Sequence, residues 1–221
     1  VAAGDDISSS NRTEELMSYI SSLEPPPDLL HSAVIRISED GRFLGLEQSR
    51  FVETLSSIEK TIETNAYALG ATVAWHKKLF DDFEPLPDNL MYEDQVMQMR
   101  AQLNGGIGYL DKPLVQHRYG GVTAEYSKLS LSKKKFGISN ERWIIAREQQ
   151  LRDLIYRKCD QNLVQKVKAK LRLCRFRRDI SRQESFLSRV ALTIAFAKKT
   201  GKRKEAVKNL TLACFPSFSE A

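Results

Sequence analysis

Residues 91 to 119 read Met-Tyr-Glu-Asp-Gln-Val-Met-Gln-Met-Arg-Ala-Gln-Leu-Asn-Gly-Gly-Ile-Gly-Tyr-Leu-Asp-Lys-Pro-Leu-Val-Gln-His-Arg-Tyr. Tyr92, Val96, Met99 and Leu103 fall at the offsets of one helix face, and Asn104-Gly105-Gly106 supplies a stop. Two short strands, Ile107 to Leu110 and Leu114 to Gln116, are expected around a Lys112-Pro113 turn, the second running out into His117-Arg118. The helix opens on Glu93 and Asp94. Carboxylates in a first turn are favoured by the helix dipole alone, so this pair, taken in isolation, reads first as a well-placed helix start. Polar residues gathered at both ends of a helix-strand-strand unit also mark a place where chemistry can sit.

Working outward, the chain upstream alternates helix and strand signals. Asp5 and Asp6 lie in a loop that leads from a short apolar stretch into a helix from about Asn11 to Leu23, with Leu16, Tyr19, Ile20 and Leu23 on one face. Pro25-Pro26-Pro27 ends it. His31 to Ser38 and Gly41 to Leu46 flank Glu39-Asp40 as a hairpin, with Asp40-Gly41 at the turn. Phe51 to Thr64 carries Leu55, Ile58 and Ile62 at helical spacing. Tyr67 to Trp75 is small and apolar and runs into a short helix from His76 to Phe80. Beyond Ser127 the pattern becomes helical, with helices expected over Glu141 to Lys158, Gln161 to Arg178 and Phe186 to Lys199.

A chain of 221 residues with 42% hydrophobic content can bury a core. Its apolar runs are far shorter than the roughly 20 residues a spanning helix needs, and it opens without a signal-peptide pattern. Cys159, Cys174 and Cys214 have no metal-ligand spacing and read as reduced thiols of a cytoplasmic protein. The net charge of +6 conceals an asymmetry. Residues 1–127 hold 10 basic and 20 acidic residues, a net of −10, whereas residues 128–221 hold 24 and 8, a net of +16. Segments of such opposite balance suit different partners and attract each other.

Two carboxylate pairs on an α/β body suggest two duties. Hard oxygen ligands at a loop, Asp5-Asp6, suit Mg²⁺ or Mn²⁺ beside a diphosphate. A second pair, Glu93-Asp94, stays free to accept a proton. At this point the residues resemble the family-two glycosyltransferases of the GT-A fold. The matching segments occur in order: Gly4-Asp5-Asp6-Ile7 with Asn11-Arg12; Leu69-Gly70-Ala71-Thr72 with Lys77-Lys78-Leu79-Phe80 and Phe83; Tyr92-Glu93-Asp94-Gln95 with Arg100-Ala101; and Pro113-Leu114-Val115 with His117-Arg118. The resemblance covers roughly residues 1 to 123.

The resemblance implies an α/β fold, the later part of a GT-A, Rossmann-like nucleotide-sugar transferase domain over residues 1–127, with the strands that hold the nucleobase preceding Val1. It is followed by a mainly α-helical, basic C-terminal region over 128–221. The resemblance further implies inverting, metal-dependent transfer of a sugar from a nucleotide-sugar donor to a glycan or lipid-linked acceptor. Asp94 would be the catalytic base. Glu93, Trp75 and His76 would meet the acceptor. Asp5, Asp6 and Arg118 would meet the donor, and Asp5 and Asp6, with His117, would hold the Mg²⁺ or Mn²⁺. Ala3 stands where the family often has another aspartate, which leaves open which of Asp5 and Asp6 is the main ligand. Gly120 stands where many members have a histidine, and His117 is the candidate substitute, although a lone histidine is more often a structural or surface residue.

The resemblance does not account for the basic helices. They read as a solvated appendage, as an attachment to an anionic leaflet at the inner face of a membrane, or as a binder of nucleic acid. No recognisable nucleic-acid motif supports the last. The rival to a transferase is thus a non-catalytic module that docks through these helices.

Overall fold

The computed structural model describes residues 5–48, 55, 57–64, 66–119 and 133–214, of which 133–136 are described as backbone only. The apolar residues before Asp5, the start of the helix expected from Phe51, Gly120 and the boundary at Ser127 lie outside the described residues.

In chain order the elements are β1 (Ile7–Ser8), α1 (Arg12–Ser21), β2 (Leu29–Ile37), β3 (Phe43–Glu47), α2 (Ile58–Thr64), a 3₁₀ turn over Gly70–Thr72, β4 (Ala74–Trp75), α3 (Lys78–Asp81), α4 (Glu93–Leu103), β5 (Ile107–Arg118), α5 (Lys133–Tyr156), α6 (Gln161–Arg182), α7 (Phe186–Thr200) and α8 (Arg203–Cys214). The protein is a mixed α/β structure. Among the described residues five strands form one sheet in the order β1-β5-β2-β3, with β4 also pairing to β2. β2 and β5 are parallel, and the other pairings are antiparallel.

β2 shows why the sheet has a helix on each face. Successive side chains of a strand point to opposite sides. Leu29 therefore joins the core under α4, with Met97 and Ala101, while Leu30 joins the core under α1, with Leu16 and Leu114. The hairpin expected at Asp40-Gly41 is present: the N–H of Ser38 donates to the carbonyl of Arg42 at 2.9 Å, and Val34 pairs with Glu47.

The Lys112-Pro113 turn is not formed. A single strand, β5, runs through it for 12 residues alongside the 9 of β2. The excess is absorbed by register shifts, Ser32 facing Leu110 while Ala33 faces Pro113 and Val34 faces Val115. Proline has no N–H to give a ladder, and a bulge places it where none is required.

α4 is buried around nearly its whole circumference, Gln95 to Ala101 being continuous core. One expected face thus became a helix enclosed by sheet and by α5. Gly106 ends it in the left-handed region, φ +88°, with its N–H on the carbonyl of Ala101 at 2.7 Å. The basic helices share this core: Ile62 of α2 and Met99 of α4 pack with Leu154 of α5 and with Leu163, Val164 and Val167 of α6.

α5 begins at Lys133, eight residues before the expected start, and α6 ends at Arg182. Asp160 caps α6 by accepting from the N–H of Asn162 at 2.6 Å, and Ser185 caps α7 by accepting from the N–H of Ser188 at 3.0 Å. α8 was not expected from the sequence. No helix of the described residues is long and apolar enough to cross a membrane, and the three cysteines are free.

Candidate active site

The N-terminal turn of α4 presents Glu93 to solvent and leaves Asp94 half-buried. Three contacts make this turn rigid. The buried Gln98 side chain donates to the carbonyl of Ala66 at 2.5 Å and accepts from the N–H of Ala68 at 3.0 Å, tying the segment before the 3₁₀ turn to α4. Gln150 of α5 reaches the carbonyl of Gln95 at 2.8 Å. Tyr92, at the helix start, packs on Trp143 with ring centroids 4.9 Å apart.

The 3₁₀ turn comes to rest against Asp94. A Cβ placed on Gly70 would meet Asp94 Cβ at 3.8 Å and Oδ2 at 4.0 Å. No ion pair to Asp94 is found among the described residues. Burial first, then the charge of Glu93, push its carboxyl up to about 7, against the pull of the Gln95 N–H that donates to Oδ1 at 2.7 Å.

Asp5 and Asp6 sit at the entrance to β1, beside the C-terminal end of β5. Oδ1 of Asp6 accepts the backbone N–H of Arg118 at 2.9 Å, and Asp5 is exposed. The guanidinium of Arg118 turns to carbonyls: Asp5 at 3.0 Å, Ser38 at 3.2 Å and Glu39 at 2.6 Å. It clamps the end of β1 to the β2–β3 turn.

Arg12, a member of the matched motif but not a predicted site residue, links the two carboxylate groups. It donates to Ser8 Oγ at 3.1 Å and to the carbonyl of Val73 at 3.3 Å, the residue that follows the 3₁₀ turn. Burial lowers the pKa of its guanidinium and the charge of Asp6 raises it again. A chain of contacts thus runs from Asp6 through Arg12 and Val73 to the turn at Gly70, which lies against Asp94.

The structure does not bring all predicted site residues together. Trp75 pairs with Leu29 in the sheet, and the N–H of His76 donates to the carbonyl of Asp28 at 2.8 Å. Both line a cleft of about 640 Å³ with Met17, Pro26, Asp28 and Asn104. Asn104, at the C-terminal end of α4, lines this cleft, whereas Asp94 stands at the opposite end of that helix. Trp75 Nε1 is buried there without a hydrogen-bond partner.

His117 is held in the sheet opposite Arg36, with its Nδ1 buried and without a hydrogen-bond partner. Among the described residues no three His, Cys, Asp or Glu side chains gather as a cation cage, so His117 does not close a group with Asp5 and Asp6. The aspartate pair still fits a hard cation, because Mg²⁺ commonly takes one or two carboxylates and completes its shell with substrate phosphates and water.

The residues missed by sequence reasoning are those that hold the site: Gln98, Gln150 and Trp143. Nothing local marks them, since each acts on a segment distant in the chain. No protein-family model matches this chain, and no curated protein matches it.

Proposed function

We propose that this chain carries the acceptor-activating and diphosphate-binding residues of an inverting nucleotide-sugar glycosyltransferase. The supporting observation is Asp94, a half-buried carboxylate without a counter-charge among the described residues, raised to about 7, at a helix start that the turn at Gly70 abuts. A general base works best with a pKa near the working pH.

In this reading Asp94 takes the proton of an acceptor hydroxyl as the hydroxyl oxygen attacks the anomeric carbon. The bond from that carbon to the diphosphate breaks, the nucleoside diphosphate leaves, and the configuration inverts. Asp5 and Asp6 would hold Mg²⁺ or Mn²⁺, which supplies positive charge against the diphosphate. The backbone N–H of Arg118 orients Asp6, and its guanidinium positions that strand end. Exposed Glu93 offers the acceptor a hydrogen-bond acceptor of its own. Trp75 and His76 would serve a more distant part of an extended glycan or lipid-linked acceptor.

The test is calorimetry of the full-length protein with several nucleotide-sugars, with and without Mg²⁺ or Mn²⁺, followed by transfer assays on Asp94→Asn. Donor binding that needs the cation and survives the substitution, with transfer lost, supports the reading. Unchanged transfer overturns the assigned base.

A further inference from the structure

A helix that packs one face on a protein core normally turns a polar face to water. α7 does not. Its inner face supplies Leu192 and Phe196 to a core with Phe176 and Leu210, while its outer face carries Leu187, Ala191, Ile194 and Lys198, spaced by four, three and four residues into one stripe. Leu187 is 78% exposed, Phe186 58% and Ile194 50%. Gly201, in the left-handed conformation at φ +71°, turns the chain into α8, whose Val207 is 59% exposed.

Ile194, Ala197, Ala206 and Val207 floor a groove of about 560 Å³ between the two helices, with Lys198 and Arg203 on its walls. Around it Lys199, Lys202, Lys204 and Lys208 are exposed. The single carboxylate of residues 186–214, Glu205, is shared by Arg177 and Lys202. The surface therefore combines protruding apolar side chains with six exposed cations.

We propose that the α7–α8 hairpin is a docking surface for an anionic lipid bilayer, with Leu187, Ile194 and Val207 entering the acyl boundary and Lys198, Arg203, Lys204 and Lys208 meeting lipid phosphates. Charge complementarity selects this occupant, and the apolar stripe separates it from nucleic acid, whose phosphates call for cations but not for protruding leucine and isoleucine. The inference does not rest on the transferase reading, because its readout is binding to lipid alone.

Co-sedimentation of the full-length protein with phosphatidylcholine vesicles, with and without phosphatidylglycerol, tests it. Each basic residue near an anionic surface contributes about fivefold in affinity. Binding to the anionic vesicles is expected to exceed binding to neutral ones by about tenfold or more, and to fall steeply with salt. Lys198→Glu with Arg203→Glu should cost about 25-fold or more by the same measure. Leu187→Ser with Ile194→Ser should weaken anionic-vesicle binding and leave its salt dependence in place. All four positions are exposed, and an unchanged circular dichroism spectrum confirms that each variant folds. Equal binding to neutral and anionic vesicles overturns the proposal. So does binding to an oligonucleotide without binding to vesicles, or a dimer that the serine variant dissociates while no vesicle is bound.

Discussion

Asp94, at the start of α4, and Asp153, on α5 where it meets α4, are both carboxylates withdrawn from water, and burial raises the pKa of both. Among the described residues only one has a counter-charge. Asp153 is fully buried and receives a bidentate fork from Arg100, at 2.7 and 2.9 Å, with Gln149 adding a third hydrogen bond at 2.9 Å. Arg100 also donates to the carbonyls of Leu79 and Glu84, and its guanidinium lies over the ring of Phe83 at 4.9 Å. Asp94, about two helical turns earlier than Arg100 on α4, has the N–H of Gln95 and the repulsion of Glu93. A paired buried carboxylate holds elements together; an unpaired one keeps its proton affinity for use.

The contrast can be broken most severely at Asp94. Asp94→Asn is expected to lower transfer by about 10²- to 10⁴-fold, the usual worth of a general base, with donor affinity measured by calorimetry unchanged. The converse change, Arg100→Ala, leaves Asp153 buried and unpaired. It should reduce stability by about 3–5 kcal/mol, read from denaturant midpoints. Replacing both partners with apolar residues of similar volume, Arg100→Met with Asp153→Leu, should cost less than Arg100→Ala, because no lone charge remains, the residual loss coming from the carbonyls of Leu79 and Glu84 and the Gln149 amide left without their partners.

A pH series sharpens the comparison further. In the unfolded chain Asp94 titrates near the ordinary carboxyl value, and in the folded protein near 7. The folded state therefore binds the proton more tightly, and the contribution of Asp94 to stability is greatest at low pH, declines as pH rises from about 4 to about 7, and is level above that. Asp94→Asn should remove this slope from denaturation curves taken across the range. Activity should rise with pH through the same window, since the base must be ionised to act. The smallest effect belongs to Glu93→Gln, which removes a like charge and should move the rising limb of the pH–rate profile to lower pH.

Much of the framework was legible in the chain. The β2–β3 hairpin, α1, α4, α6 and α7 follow from periodicity, from the Asp40-Gly41 turn and from the stops at Pro25-Pro26-Pro27 and Asn104-Gly105-Gly106, all local properties. The continuous strand β5 was not, because Lys112-Pro113 has the composition of a turn and only its neighbour β2 shows that a bulge can carry it. α8 was not legible either, because Lys202-Arg203-Lys204 reads as a charge cluster rather than as a helix start.

The same division runs through the candidate site. Residue type and spacing identified Asp5, Asp6, Glu93 and Asp94 as groups with chemistry to offer, and the opposite charge balance of the two segments was countable without coordinates. Which carboxylates are in pairs was a tertiary matter. Arg100 and Asp153 are 53 positions apart, and the turn at Gly70 meets Asp94 from 24 positions away. Trp75 and His76 line a cleft with Asp28 and Asn104 because β4 pairs with the start of β2, a register that no local pattern encodes. Periodicity and turn chemistry depend on near neighbours in the chain, whereas burial, counter-charge and proton affinity depend on what the folded chain brings alongside.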